Sequence, residues 1–183
     1  MNVNKKIFFW LDLEMTGLGD EQFIIEIASA ITDDDLNIIA EGPEIAISRS
    51  DEELSNMESW PAKQHKESGL LKKVNESKID IKKAENLTLD FLKKHAKKNQ
   101  AILCGNSIWV DRKFLRKEMP ILEDYLFYRM VDVSSLKEII SKWYVDKEQY
   151  KEKRSSHLAM SDIKDSIDEL KWYRENFFIN KDT

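Results

Sequence analysis

"IFFWLDLEMTG", residues 7–17, holds a conflict whose resolution decides how the rest of the chain is read. Ile7 to Leu11 are all apolar and rich in aromatic and β-branched types, the pattern of a strand buried on both faces. Asp12 and Glu14 stand at its far end, two residues apart. Side chains on a strand alternate with a period of two, so both carboxylates point to the same side of the sheet. Like charges leaving a buried strand together repel each other and lose hydration, an unfavourable arrangement unless positive charge meets them.

Composition narrows what that positive charge can be. The 183 residues suit one domain, expected to span 1–183, with a sizeable core. Net charge is −5, from 29 basic and 34 acidic residues, which disfavours a protein that grips long duplex DNA through many phosphates. An acidic chain handles nucleic acid when its substrate is short or when metal ions supply the charge. The single cysteine, Cys104, excludes an internal disulfide framework and a multi-cysteine zinc site, and suits a reducing, cytoplasmic setting. Lys5 and Lys6 precede an apolar run, but Asp12 ends it after five residues, short of the roughly 7–15 of a secretory signal. No stretch approaches the roughly 20 apolar residues of a membrane span, so no membrane partner is expected.

Working outward from the first strand, Ile24–Ile31 and Leu36–Ile47 read as two further strands. "TGLGDEQ" and "TDDDLN" are the short connections of an antiparallel meander. Ala84, Leu87, Thr88, Phe91, Leu92 and His95 form an apolar stripe at helical spacing. "AILCGNS" reads as a strand ending in a turn, followed by a short helix around Asp111–Met119 that Pro120 stops. "YRMVDVS" reads as a fifth strand, and Ser135 with Glu138 suggests a capping box for a helix through Trp143. A charged loop over residues 146–156 leads to a last helix with Ile163, Ile167 and Leu170 inward. Trp10, Trp143 and Trp172 are expected in the core, His95 packed, and Asp132 in a structural hydrogen bond. The order of elements predicts an α/β domain with a mixed sheet.

Two more carboxylates behave like the first pair. Asp111 lies three and four residues before Phe114 and Leu115 and shares their inward face on a helix. Asp162 lies just inside the last helix, with His157 five residues earlier. Four carboxylates from a strand, a middle helix and a final helix make an oxygen-rich set suited to hard divalent ions such as Mg²⁺ or Mn²⁺.

The segments "DLEMTG", "GNSIWVDRKFL" and "HLAMSDI", in this order and spacing, resemble the three motifs of the DEDDh 3′→5′ exonucleases and, within them, the oligoribonuclease family. The resemblance continues through "IIEIA", "AEGPEIAI", "SGL", "YRMVDVSSLKEI" and "ELKWYREN", nearly the whole chain. It implies a ribonuclease H-like fold, two divalent metal ions and hydrolysis of very short single-stranded RNA, dinucleotides included, to 5′-mononucleotides. By the same resemblance Asp12 bridges both metals, Glu14 and Asp162 complete the first metal's set of ligands, Asp111 serves the second metal, partly through water, and His157 is the general base. Leu18 and Trp60 match the surfaces that hold the two bases. Ser107, Arg129 and Ser134 match a cap around the 5′ phosphate, His65 a substrate contact, and Tyr128 a residue donated by the other subunit of a homodimer. Trp109 and Val110 depart from the pattern, standing where the family has smaller or more polar residues. Two other functions use the same residues: a proofreading or tRNA-trimming exonuclease, and a catalytically silent nucleic-acid-binding module. Acidic charge and the lack of a basic track weigh against the first, and the intact set of five catalytic residues against the second.

Overall fold

The computed structural model describes residues 6–151 and 158–178. Strands β1 (Ile7–Met15), β2 (Ile24–Thr32), β3 (Ile38–Glu41) and β4 (Ile45–Ala46) come first. Helices α1 (Asp51–Ser55), α2 (Ser59–Glu67), α3 (Leu70–Glu76) and α4 (Ile81–Lys93) follow. Strand β5 (Ala101–Gly105) leads into α5 (Ile108–Glu118) and α6 (Pro120–Tyr125), β6 (Met130–Asp132) leads into α7 (Val133–Trp143), and α8 (Ala159–Phe177) comes last. The sheet order is β3-β2-β1-β5-β6, with β4 also paired to β2. The N-terminal strands run antiparallel, while β5 and β6 join parallel to β1. This is the mixed α/β sheet expected from the sequence.

Alternation along β1 divides its side chains between two cores. Phe9, Leu11 and Leu13 pack on one face with Ala84, Leu89 and Leu92 of α4 and Phe114 and Leu115 of α5. Trp10 faces the other way, into a core with Ala28, Cys104, Ile140, Ile163, Ile167 and Tyr173. Burial of each large apolar side chain contributes roughly 1.5–3 kcal/mol, so β1 is clamped from both sides. Asp12 and Glu14 continue the Trp10 series, on the face that α8 covers. Helix α8 packs directly on β1 and β2.

The structure corrects several local expectations. The third strand is broken into β3 and β4, because Pro43 has no N–H for the ladder and Gly42 approaches its neighbours closely. A Cβ at Gly42 would lie 2.3 Å from Ser29 Oγ. The Ser135–Glu138 capping box does not form: α7 starts earlier, and Asp132 caps it by accepting the Ser134 N–H at 3.0 Å. Asp132 is thus the structural hydrogen bonder expected. A capping box does exist at Ser50 and Glu53, on α1. Pro120 ends α5 but also opens α6, as its missing N–H permits at a first helical position. On α4 the buried line runs through Glu85 and Leu89 rather than Leu87 and His95. Glu85 reaches across to accept the N–H groups of Ile121 and Leu122 at 2.7 and 3.0 Å. His95 is exposed and packs its ring against Phe91. Trp143, expected in the core, is 74% exposed. It sits at the last residue of α7, where Tyr144 against Phe177 closes the core (ring centroids 5.0 Å apart). No helix among the described residues is long and apolar enough to cross a membrane.

Candidate active site

The carboxylates of Asp12, Glu14 and Asp162 converge. One oxygen from each lies within 4.8 Å of the others. The strand period delivers the first two, and the first turn of α8 delivers the third. Asp111 enters from the first turn of α5 and is 6% exposed; its Oδ1 accepts the Leu13 N–H at 3.0 Å, which fixes it between the two carboxylates of β1 in sequence.

The electrostatics are strongly unfavourable to ionisation. Burial raises the Asp12 carboxyl well above the usual range, and Asp111, Glu14, Asp162 and Glu26 each raise it further. Glu14 is pushed up to about 8, by burial first and then by Asp162, Glu26 and Asp111. Burial lifts Asp111 to about 7, partly offset by the Leu13 hydrogen bond. An all-oxygen donor set whose negative charge is so poorly compensated fits hard divalent cations, which would lower those same pKa values.

Glu26 was not singled out in the sequence, although a lone charge within the apolar "IIEIA" is a readable signal. It is fully buried on β2, paired in register with Glu14. Its Oε2 accepts the Ala159 N–H at 3.2 Å, and its Oε1 lies 3.7 Å from Lys73 Nζ. Glu26 thus ties the first residue of α8 to the sheet three residues before Asp162.

The remaining candidates fall into two groups. Leu18 and Trp60 are each 62% exposed. Glu58, just before α2, links them: its Oε1 accepts the Leu18 N–H at 3.2 Å, and its side chain lies over Gly17, where any Cβ would collide with it. Its own N–H is bonded to Thr16 O at 2.9 Å. His65 of α2 is buried behind Glu14. Its Nε2 donates to Met15 O at 3.0 Å and its Nδ1 faces Glu14 Oε2 at 3.8 Å. In the second group, Ser107 and Ser134 meet with their hydroxyl oxygens 3.3 Å apart. Tyr128 is 65% exposed, and the Arg129 guanidinium lies over its ring, 5.1 Å from the centroid. Trp109, 59% exposed, lines a groove with Arg112, Lys113 and Met130, whereas Val110 turns inward against the core. His157 lies outside the described residues.

Comparison with known proteins shows the family and the fold. A family model described as Exonuclease, RNase_T, matches residues 9–170. An oligoribonuclease of Ruthia magnifica is 51% identical over 97% of this chain and 99% of its own length. The chain belongs to the oligoribonuclease family. Other members of the family with close similarity are those of Legionella pneumophila strain Corby, 50% identical over 95% of this chain and 94% of the relative, and Haemophilus influenzae strain KW20, 48% identical over 97% and 98%. Among solved structures, Escherichia coli exonuclease I bound to a dT13 oligonucleotide superposes with a TM-score of 0.67, at 14% identity, over 93% of this chain. A second exonuclease I complex gives 0.71 at 13% identity over 94%. The chain spans about two fifths of those two proteins (41% of each), and the likeness establishes a shared ribonuclease H-like fold.

The raised carboxyl groups make stability depend on pH with a definite sign. An acid whose folded pKa lies above its unfolded value binds its extra proton in the folded state. The stability it contributes is full below the unfolded value, near 4.5 for Glu14, and is lost as pH rises toward about 8. In chelator, the Tm is expected to fall between about pH 5 and about pH 8, and Mg²⁺ or Mn²⁺ to restore it most at the upper end. Glu14→Gln should flatten the decline. A chelated protein whose Tm rises through this window contradicts the electrostatic assignment.

Proposed function

We propose that this chain is a 3′→5′ exoribonuclease that hydrolyses very short single-stranded RNAs, dinucleotides included, to 5′-mononucleotides. The observation that carries this reading is near-full-length identity of about one half to oligoribonucleases in a chain whose Asp12, Glu14 and Asp162 oxygens converge. Asp12, Glu14, Asp111 and Asp162 would hold two divalent ions, Mg²⁺ or Mn²⁺. Bound there, the ions supply positive charge to the attacking and leaving oxygens of the phosphoryl group and acidify water.

Each remaining residue then has a distinct task. His157, on the family resemblance, takes the proton of the attacking water; an imidazole with an ordinary pKa near 6.5 accepts it close to neutrality. The water oxygen bonds to phosphorus as the bond from phosphorus to O3′ breaks; O3′ takes a proton from solvent and leaves as the 3′ hydroxyl, and His157 returns its proton to solvent. Leu18 and Trp60 flank the bases, and stacking on an aromatic ring is worth roughly 1–3 kcal/mol per base whatever its identity. Ser107, Ser134 and Arg129 take the 5′ phosphate, where a guanidinium forms charge-assisted bidentate bonds. His65 is matched by resemblance to a substrate contact. Tyr128, exposed on the surface, completes the pocket of a second subunit in a homodimer with two-fold symmetry. The whole works as one exonuclease domain in the cytoplasm, in keeping with a single buried cysteine.

Two experiments test this reading. With Mg²⁺ or Mn²⁺, labelled RNAs of two, five and twenty nucleotides should be cleaved with the dinucleotide fastest, and EDTA should abolish all three activities. Preference for the longest RNA supports a trimming exonuclease instead, and full activity in chelator removes the metal reading. The homodimer is tested by mixing inactive Asp12→Ala chains with Tyr128→Ala chains. A heterodimer then contains one pocket with intact carboxylates and a donated tyrosine, so activity should return. Absence of rescue after demonstrated subunit exchange rules out the shared pocket.

A further inference from the structure

Behind the two serines of the proposed 5′-phosphate pocket runs a partly buried polar chain whose inner members, Asn106, Ser166, Glu169 and Tyr173, have no assigned role. Asn106, in the turn after β5, donates one amide hydrogen to Ser166 Oγ and the other to Glu169 Oε2, both at 3.0 Å. Glu169 Oε1 accepts the Tyr173 hydroxyl at 2.7 Å. On its other side, Asn106 Oδ1 accepts the Ser134 hydroxyl at 3.0 Å, and Ser134 Oγ in turn accepts the Ser107 N–H at 3.0 Å. Glu169 is 4% exposed.

The direction of these bonds follows from chemistry. Glu169 accepts on both carboxyl oxygens, from Tyr173 and from Asn106, so the NH₂ end of the Asn106 amide faces it. The amide oxygen must then face Ser134. The Ser134 hydroxyl hydrogen is thereby tied back, and its lone pairs are left to hold the Ser107 N–H. Asp132 Oδ1 shares that N–H at 3.0 Å. Ser107 needs such a grip, because its φ is +47°, a conformation uncommon outside glycine. The partners Glu169 has here, an amide and a phenol, are neutral. Apolar side chains of similar volume would fill such a space at less electrostatic cost, so this carboxylate is a poor choice for packing alone.

Its place on α8 gives the choice a purpose. Ser166, Glu169 and Tyr173 lie four, seven and eleven residues after Asp162, on one helical face. One rigid helix therefore carries a wall of the carboxylate cluster and, about 10 Å further along its axis, the anchor of the serine pair. Resting on the reading of Ser107, Arg129 and Ser134 as a phosphate pocket, we infer that Glu169, acting through Asn106 and Ser134, is a positioning residue that holds the Ser107 backbone so that its hydroxyl is aimed at the 5′ phosphate, and so sets how strongly a phosphorylated end is preferred.

The test compares kcat/KM for a dinucleotide with and without a 5′ phosphate, using the full chain with Mg²⁺. The ratio of the two normalises each variant to its own stability. Glu169→Leu should lower the ratio by about tenfold, the scale of one misaligned hydrogen bond to a charged group, with the loss in KM more than in kcat. Glu169→Gln should stay within about threefold of wild type, because its amide oxygen still accepts from Asn106 while its NH₂ donates to the Tyr173 oxygen. Asn106→Ala, which cuts the chain at its middle, should repeat the loss and serves as the test where Glu169→Leu fails to fold. An unchanged ratio in the folded variant, or a Glu169→Gln loss as large as that of Glu169→Leu, overturns the inference. A wild-type ratio near one removes the phosphate pocket itself, a distinct failure visible before any variant is made.

Discussion

Repulsion between Asp12 and Glu14, fixed on one face of β1 by the strand period, is the constraint around which the rest of the molecule is arranged. Neither side chain can turn away, because β1 is paired on both edges and packed on both faces. Asp111, Asp162 and Glu26 add to the charge rather than offset it. Such an arrangement is uphill in metal-free protein near neutrality, and it persists only because two apolar cores hold the backbone in place. Strain of this kind, kept by the fold, is what the proposed divalent cations would relieve.

Helix α8 connects that constraint to the proposed phosphate pocket. Its first residue is anchored to β2 through Glu26, its first turn carries Asp162, and its middle carries the Glu169 branch beneath Ser107 and Ser134. Movement of α8 therefore alters the carboxylate cluster and the serine pair together. The turn after β1 is held in a comparable way, with Thr16 and Glu58 fixing the backbone from which Leu18 projects. Both ends of the proposed pocket are borne by short, heavily bonded segments adjoining β1, which is how a small site keeps its length.

Much of this was legible in the sequence because it follows from periodicity. The period of two in residues 7–17 and the acidic first turns at Asp111 and Asp162 announce a carboxylate site, and the mixed sheet follows from the order of elements. What escaped notice depends on contacts across long sequence separations. Glu26 and Ala159 are 133 residues apart, and Asn106 and Glu169 are 63 apart. No local pattern marks such partners, although a charge inside an all-buried strand is a hint. Local rules also misled where tertiary packing overrode them. Asp132 displaced the Ser135 cap because β6 runs directly into α7. Trp143 lost its place in the core because the aromatic residues near the end of α8 already filled it.

The claim on which everything else depends is that these carboxylates converge to bind divalent cations. Anomalous diffraction from crystals grown with Mn²⁺ and a 5′-phosphorylated dinucleotide addresses it without relying on activity. The account predicts two manganese peaks beside Asp12, one shared with Glu14 and Asp162 and the other on the Asp111 side. A site without manganese, or one in which a lysine or arginine side chain neutralises the four carboxylates, would contradict it.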